Sequence, residues 1–200
     1  MPKNFEIKHL IVGPLLTNCY ILISKGESLV IDPGADLKQI LEELTKNQAK
    51  LKYIVLTHCH WDHLLAAPKL KTETGAKILV HEGEKDFMKF NVDQFLKDGD
   101  EIKVGEISLK IVHTSGHTKG SICLLGDGFI FTGDTLFEDA HGRTDLSGGS
   151  QTEMENSLEK LKKILKPGLK IYPGHGEVFE KLKWKNILIK NHTKIYGLMN

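Results

Sequence analysis

The chain has 200 residues, 40% hydrophobic and 26% charged, which is enough apolar material for a buried core and too much for an intrinsically disordered segment. Its 27 basic and 26 acidic residues leave a formal net charge of +1, so no global field gathers nucleic acid or an anionic membrane surface. The start MPKNFEIKHL lacks the apolar centre of a secretion signal, no apolar run reaches the ~18 residues of a membrane span, and Cys19, Cys59 and Cys123 fit neither a disulfide framework nor a CxxC site; the expectation is a cytoplasmic protein with reduced thiols.

In chain order, FEIKHLIVG, NCYILIS and SLVIDPG are apolar or β-branched blocks punctuated by GPLL and KGE, which predicts an antiparallel meander up to Ala35. Leu37, Ile40, Leu41 and Leu44 follow at the spacing of an amphipathic helix, and KYIVL reads as a compact buried strand. AAPKLKTETG predicts a second helix, with Pro68 in its first turn and Gly75 ending it. Further on, EISLKIVH, SICLLG and FIFTG read as strands. Ser150 and Glu153 form a capping box before a helix striped by Met154, Leu158, Leu161 and Leu165, and LKIYPGHG is a strand running into a loop. The tail from Glu177 to Asn200 is helix-compatible around WKNILIKNH. This order suggests packed sheets with helices outside, in a single domain spanning residues 1–200.

The densest chemistry lies just beyond the KYIVL strand, in LTHCHWDHLLAA. His58, His60, Asp62 and His63 cannot all be satisfied core residues, since each would need its own buried partner, whereas a metal satisfies several together. HTSGHTKGS, FTGDTLF and YPGHGE add His117, Asp134 and His175, each where a predicted strand meets a glycine-containing turn. His58, His60 and His117 would make one site and Asp62, His63 and His175 another, with Asp134 bridging two divalent ions. Imidazole and carboxylate ligands without thiolates suit zinc first, with iron or manganese as the other candidates, and argue against a purely structural zinc site.

THCHWDH, GHT, GDT and PGHG, in this order and spacing and preceded by NCYIL and DPG, resemble the metallo-β-lactamase superfamily. The resemblance implies an α/β protein, an αββα four-layer sandwich with its metals along one edge of two sheets. Within the superfamily, HWDH, HTSGHTKGS and GDTLF are similar to the glyoxalase II (hydroxyacylglutathione hydrolase) branch, and GRTDLSGG with PGHG to its short relatives. That branch implies a dinuclear thioesterase cleaving S-D-lactoylglutathione or a related small thioester, in which a metal-bridging hydroxide attacks the carbonyl and Asp62 helps hold the hydroxide's proton. Small-molecule thioesters, not nucleic acid or membrane, are the expected partners. Against the full-length branch, no separate C-terminal glutathione-binding domain is expected, and Asp145 stands where glutathione-binding members have tyrosine. The rival readings are a mononuclear iron persulfide dioxygenase using His58, His117 and Asp134, and a non-catalytic metal-binding module.

Other residues carry weaker expectations. Arg143 either forks a substrate carboxylate or stitches its loop through Asp145. His113 reads as a neighbour of the ligands and His141 as an exposed loop residue, while His9, His81 and His192 carry no motif. Cys59 points away from the metals and fills core space, Trp61 packs, and Asp32 shapes a turn with Gly34, slightly ahead of a role in orienting the metal loop.

Overall fold

The structure, a computed structural model, describes residues 5–180; the WKNILIKNH tail and His192 lie outside them. The expected meander is present as β1 (Glu6–Val12), β2 (Thr17–Ser24) and β3 (Glu27–Ile31), paired antiparallel in succession. After α1 (Leu37–Lys46) the chain returns as β4 (Lys50–Leu56), parallel to β3. The short α2 (Trp61–Leu64) and α3 (Ala67–Thr74) lead to β5 (Lys77–His81), a 3-10 turn over Glu82–Phe87, and β6 (Gln94–Leu96), completing a six-stranded sheet in chain order. Gly75 closes α3 in the left-handed conformation, as its position in the sequence predicts.

A five-stranded second sheet is built from β7 (Glu101–Val104), β8 (Ile107–His113), β9 (Ile122–Gly126), β10 (Phe129–Gly133) and β11 (Lys170–Pro173), in the order β11-β10-β9-β8-β7. The crossover from β10 to the parallel β11 runs through α4 (Gln151–Ile164). The Ser150 hydroxyl caps α4 by accepting from the Glu153 N–H at 3.3 Å. The sequence reading passes over β5, β6 and β7. These are short segments, the last two of three and four residues, in which neither the twofold nor the helical period has room to show.

Three apolar clusters define four layers. Tyr20, Leu22, Leu29, Val55, Ile111, Leu124 and Phe131 fill the space between the sheets. Val30, Ile54, Ile78, Ile40 and Leu70 join the outer face of the first sheet to α1 and α3. Ile130, Ile171, Met154, Leu158 and Leu161 join the second sheet to α4. The fold is therefore an αββα sandwich, and each strand that faces both ways is apolar on both, as in β3 and β10.

One seam between the sheets positions the site. The Asn18 side chain, buried at the start of β2, donates to the carbonyls of Pro173 (2.9 Å) and Gly176 (2.8 Å), and its Oδ1 lies 2.7 Å from His9 Nε2. The Asn18 N–H donates to the Gly174 carbonyl at 2.8 Å, and the Tyr20 hydroxyl donates to the Pro173 carbonyl at 2.6 Å. These bonds hold the loop after β11 against the first sheet. Asn18→Ala leaves the Gly176 carbonyl at the seam without this donor and the Pro173 carbonyl with Tyr20 alone, and a loss of about 1–3 kcal/mol is expected in urea unfolding of the chelator-treated protein. An unchanged midpoint would show that the seam is held by Tyr20 and the backbone alone.

Candidate metal centre

His58 and His60 lie just beyond β4, Asp62 and His63 on α2, His117 in the β8–β9 loop, Asp134 directly after β10, and His175 just beyond β11. Each therefore follows the C-terminal end of a strand, and the sandwich brings all of them to one edge. His58, His60 and His117 converge on one point, and Asp62, His63 and His175 on a second; both groups could hold a metal ion. His60 Nδ1 lies 2.8 Å from His117 Nε2, and His63 Nε2 lies 3.1 Å from His175 Nε2. Asp134 stands between the groups. Its Oδ2 is 3.5 Å from His117 Nε2 and 3.6 Å from His175 Nε2, and its Oδ1 is 3.5 Å from His63 Nε2. Asp62 Oδ2 is 3.3 Å from Nε2 of both His63 and His175 and accepts from the Thr17 hydroxyl at 2.9 Å.

Four of the histidines have their other ring nitrogen engaged by the protein. His58 Nδ1 meets the Thr57 hydroxyl at 3.0 Å, His63 Nδ1 the Asp32 carboxylate at 3.0 Å, His117 Nδ1 the Arg143 carbonyl at 2.7 Å and His175 Nδ1 the Leu15 carbonyl at 3.1 Å. A ring that donates from Nδ1 presents a lone pair at Nε2, the tautomer a metal requires. His58 Nε2 and Asp134 Oδ1 are buried without any hydrogen-bond partner, an arrangement that costs free energy unless something else fills the centre. The residues thus fit divalent cations on the strength of their own unmet valences.

The electrostatics divide the two groups. Burial, reinforced by neighbouring imidazoles, holds His58 well below the usual histidine range, and burial with His117 beside it brings His60 down to about 4. Burial also opposes charge on His63, but Asp134, Asp32 and Asp62 together outweigh it and hold its imidazolium up to about 9. A cation entering beside His63 must displace that proton. Zinc affinity at the Asp62, His63 and His175 group is therefore expected to climb by up to about tenfold per unit from pH 6 to pH 8. Affinity at the His58 and His60 group should change far less. Competition titration with a zinc indicator resolves the two, and identical pH slopes would contradict this division.

Asp32, expected mainly to shape a turn, does more. It is buried in a left-handed backbone (φ 52°), where its carboxylate accepts from the Thr57 N–H (2.7 Å) and Thr57 hydroxyl (2.6 Å) and receives His63 Nδ1. It also turns the chain, its carbonyl accepting from the Gly34 N–H at 2.8 Å. Gly34 has no alternative there, since a Cβ would lie 1.6 Å from the Asp62 carbonyl oxygen. Gly174 is equally confined, with a Cβ position 2.1 Å from Asp134 Oδ1.

Two other expectations change, and the open choice at Arg143 falls on one side. His141 is buried, 6% exposed, with Nδ1 2.8 Å from the Gly142 carbonyl, because the loop after Asp134 folds inward over His117. Trp61 does not pack away; it is 50% exposed at the rim of the site, since the single turn of α2 buries His63 instead. Arg143 places its guanidinium on Asp145 at 2.6 and 2.7 Å, the loop-stitching arrangement, while its carbonyl serves His117. His113 lies outside the cluster, stacked on His81 at 4.0 Å, and His9 stacks on Tyr20.

Sequence reasoning missed Glu84, which no motif flags. Fully buried, it accepts from the Thr118 hydroxyl and from the Gly120 N–H (2.9 Å), and so supports the loop bearing His117. It also faces Cys59. Burial and then Glu84 push the Cys59 thiol far above its usual range, so it holds its proton at neutral pH. Cys59→Ala is expected to retain most activity; loss of turnover with metal content unchanged would make the thiol a participant.

Imidazoles and carboxylates gathered at the shared edge of an αββα sandwich define a metal-centred protein. The chain belongs to the metallo-beta-lactamase superfamily, whose sequence profile matches residues 12–175. It is 34% identical over 162 residues to the probable polyketide biosynthesis zinc-dependent hydrolase PksB of Bacillus subtilis (strain 168), covering 79% of this chain and 72% of the relative. Among solved structures, the BLEG-1 B3 metallo-beta-lactamase superposes with a TM-score of 0.81 at 26% identity, covering 87% of this chain and 93% of that one. ETHE1 from Myxococcus xanthus superposes with a TM-score of 0.78 at 27% identity, covering 87% and 79%.

Proposed function

We propose that the chain is a dinuclear metal-dependent hydrolase that cleaves S-D-lactoylglutathione or a related small thioester. The observation that carries this reading is the pair of ligand groups sharing Asp134, with His58 Nε2 and Asp134 Oδ1 buried and unpartnered between them. The name of the Bacillus subtilis relative, a probable zinc-dependent hydrolase, supports the same class. His58, His60, His117 and Asp134 would hold one ion and Asp62, His63, His175 and Asp134 the other. Zinc is the first choice, and such ions supply the Lewis acidity that activates water and polarises a carbonyl.

The chain's own residues prepare this chemistry. Asp32, Thr57 and the carbonyls of Arg143 and Leu15 fix four imidazole tautomers, so the ligands are oriented before any substrate arrives. Thr17 donates to Asp62 Oδ2 and holds that carboxylate facing His63 and His175, where it can accept a proton from water at the centre. A thiolate leaves without a strong general acid, which matches a site whose carboxylates stay ionised: Asp62 and Asp134 are both held below the usual carboxylate range despite burial, mainly by the surrounding histidines.

The test is thiol release from S-D-lactoylglutathione and simple acyl thioesters by zinc-loaded protein. Turnover lost on chelation and restored by zinc is expected, with close to two ions per chain by elemental analysis. One ion at every loading, with oxygen consumed in the presence of iron and a persulfide, would replace this reading with the dioxygenase. Tight metal binding without turnover of any substrate would leave a binding module.

A further inference from the structure

An apolar shelf with solvent-exposed side chains borders the metal centre. Leu15 and Leu16 at the β1–β2 turn, Trp61 on α2 and Leu65 just after it are 38%, 62%, 50% and 56% exposed. Leu15, Trp61 and Leu65 line one small cavity together with Thr17 and Asp62, so the shelf is continuous with the ligand cluster. The Leu15 carbonyl touches His175 Nδ1 at 3.1 Å. Leu16 holds a left-handed backbone (φ 54°), which a leucine adopts only at a cost, and spends it on an exposed side chain. The turn is braced from below by the Gly13 N–H donating to the Asp36 carboxylate at 2.8 Å and by the Leu16 N–H donating to the Gly13 carbonyl at 3.2 Å.

Charge near the centre is consistent with this. Arg143, the cation the sequence offers to a substrate carboxylate, has its guanidinium fork filled by Asp145. The peptide portion of glutathione carries two carboxylates and two amides. It would find that guanidinium already paired and, along the shelf, leucine side chains without hydrogen-bonding groups and a single indole N–H on Trp61.

We propose that this shelf binds the acyl chain of the substrate, so that the enzyme selects thioesters with an apolar acyl group over hydroxyacylglutathione. The inference rests on the thioesterase reading and names its substrate class. An acyl chain fits better than the thiol arm, because the common carrier thiols are rich in amides that need polar partners, whereas an alkyl chain leaving the carbonyl beside Asp62 meets apolar surface at once. A shelf that covers one side of a chain should give about a twofold gain in kcat/KM per methylene, below the roughly fourfold of full burial.

The experiment uses zinc-loaded full chain and N-acetylcysteamine thioesters from acetyl to octanoyl, with S-D-lactoylglutathione alongside. kcat/KM is expected to rise roughly 15-fold from acetyl to hexanoyl and to exceed that for lactoylglutathione. Leu16→Asn, which suits a left-handed backbone, combined with Leu65→Gln should bring the hexanoyl-to-acetyl ratio down towards one. As a readout independent of turnover, calorimetry should show octanoate binding more tightly than butanoate, with the difference lost in the double variant. A flat series in the parent protein, or a hexanoyl-to-acetyl ratio unchanged by the double substitution, overturns the proposal while leaving the thioesterase reading in place. Failure to cleave any thioester, the lactoyl compound included, overturns both.

Discussion

Asp134→Ala is expected to reduce bound zinc from about two ions per chain to one or fewer and to lower kcat/KM for thioester hydrolysis by roughly 10³-fold or more. Asp134 reaches toward both ligand groups, its two oxygens lying within 3.5–3.6 Å of His63, His117 and His175. Two divalent cations brought together without a shared carboxylate repel each other strongly, and the repulsion is least screened where solvent is excluded. The variant also leaves the surrounding imidazoles without the anion that most raises His63 and His175. Asp134→Asn separates charge from shape: it fills the same space and should lose metal nearly as far. Parent-like zinc content in the alanine variant, measured by elemental analysis after gel filtration, would show that the bridge lies elsewhere.

The second large effect is expected from a residue that touches no substrate. Asp32→Ala should destabilise the protein by about 3–5 kcal/mol and weaken zinc binding by roughly 10- to 100-fold. Removing the carboxylate strands the Thr57 N–H, the Thr57 hydroxyl and His63 Nδ1 together, all buried. His63 then loses the partner that fixes its tautomer, and Thr57 loses the anchor through which it steadies His58. Denaturation of metal-free and zinc-loaded protein separates the two consequences. A loss of stability without a loss of zinc affinity would confine Asp32 to the turn it makes with Gly34.

Much of the site is legible in the sequence because ligand chemistry is local and dense. His58, His60, Asp62 and His63 crowd one strand end, and each partner segment carries its histidine or aspartate beside a glycine. The helices α1, α3 and α4 announce themselves by apolar spacing and end signals. What the sequence hides is long-range. Nothing near Glu84 suggests that it will be buried under the His117 loop, and nothing near Asp32 indicates a histidine 31 positions away. Leu15 and Leu16 read as turn residues and Trp61 as core. Only the folded edge shows that they meet. Arg143 illustrates the same limit, since its choice between substrate and Asp145 depends on a loop conformation that spacing does not encode.

The seam of Asn18 and Tyr20 against the loop after β11 bears on when the ions arrive. In small zinc domains the metal is the folding nucleus, and the chain without it has no structure. Here the two halves of the ligand set are joined by direct hydrogen bonds and by a continuous inter-sheet core, none of which requires a cation. The metal-free chain should therefore fold first and load afterwards, with amide hydrogen exchange at Asn18 and Gly174 slow in both forms. A site completed before loading takes whichever ion its ligands and the local supply favour, so zinc and iron would compete for a finished cradle instead of selecting between folds.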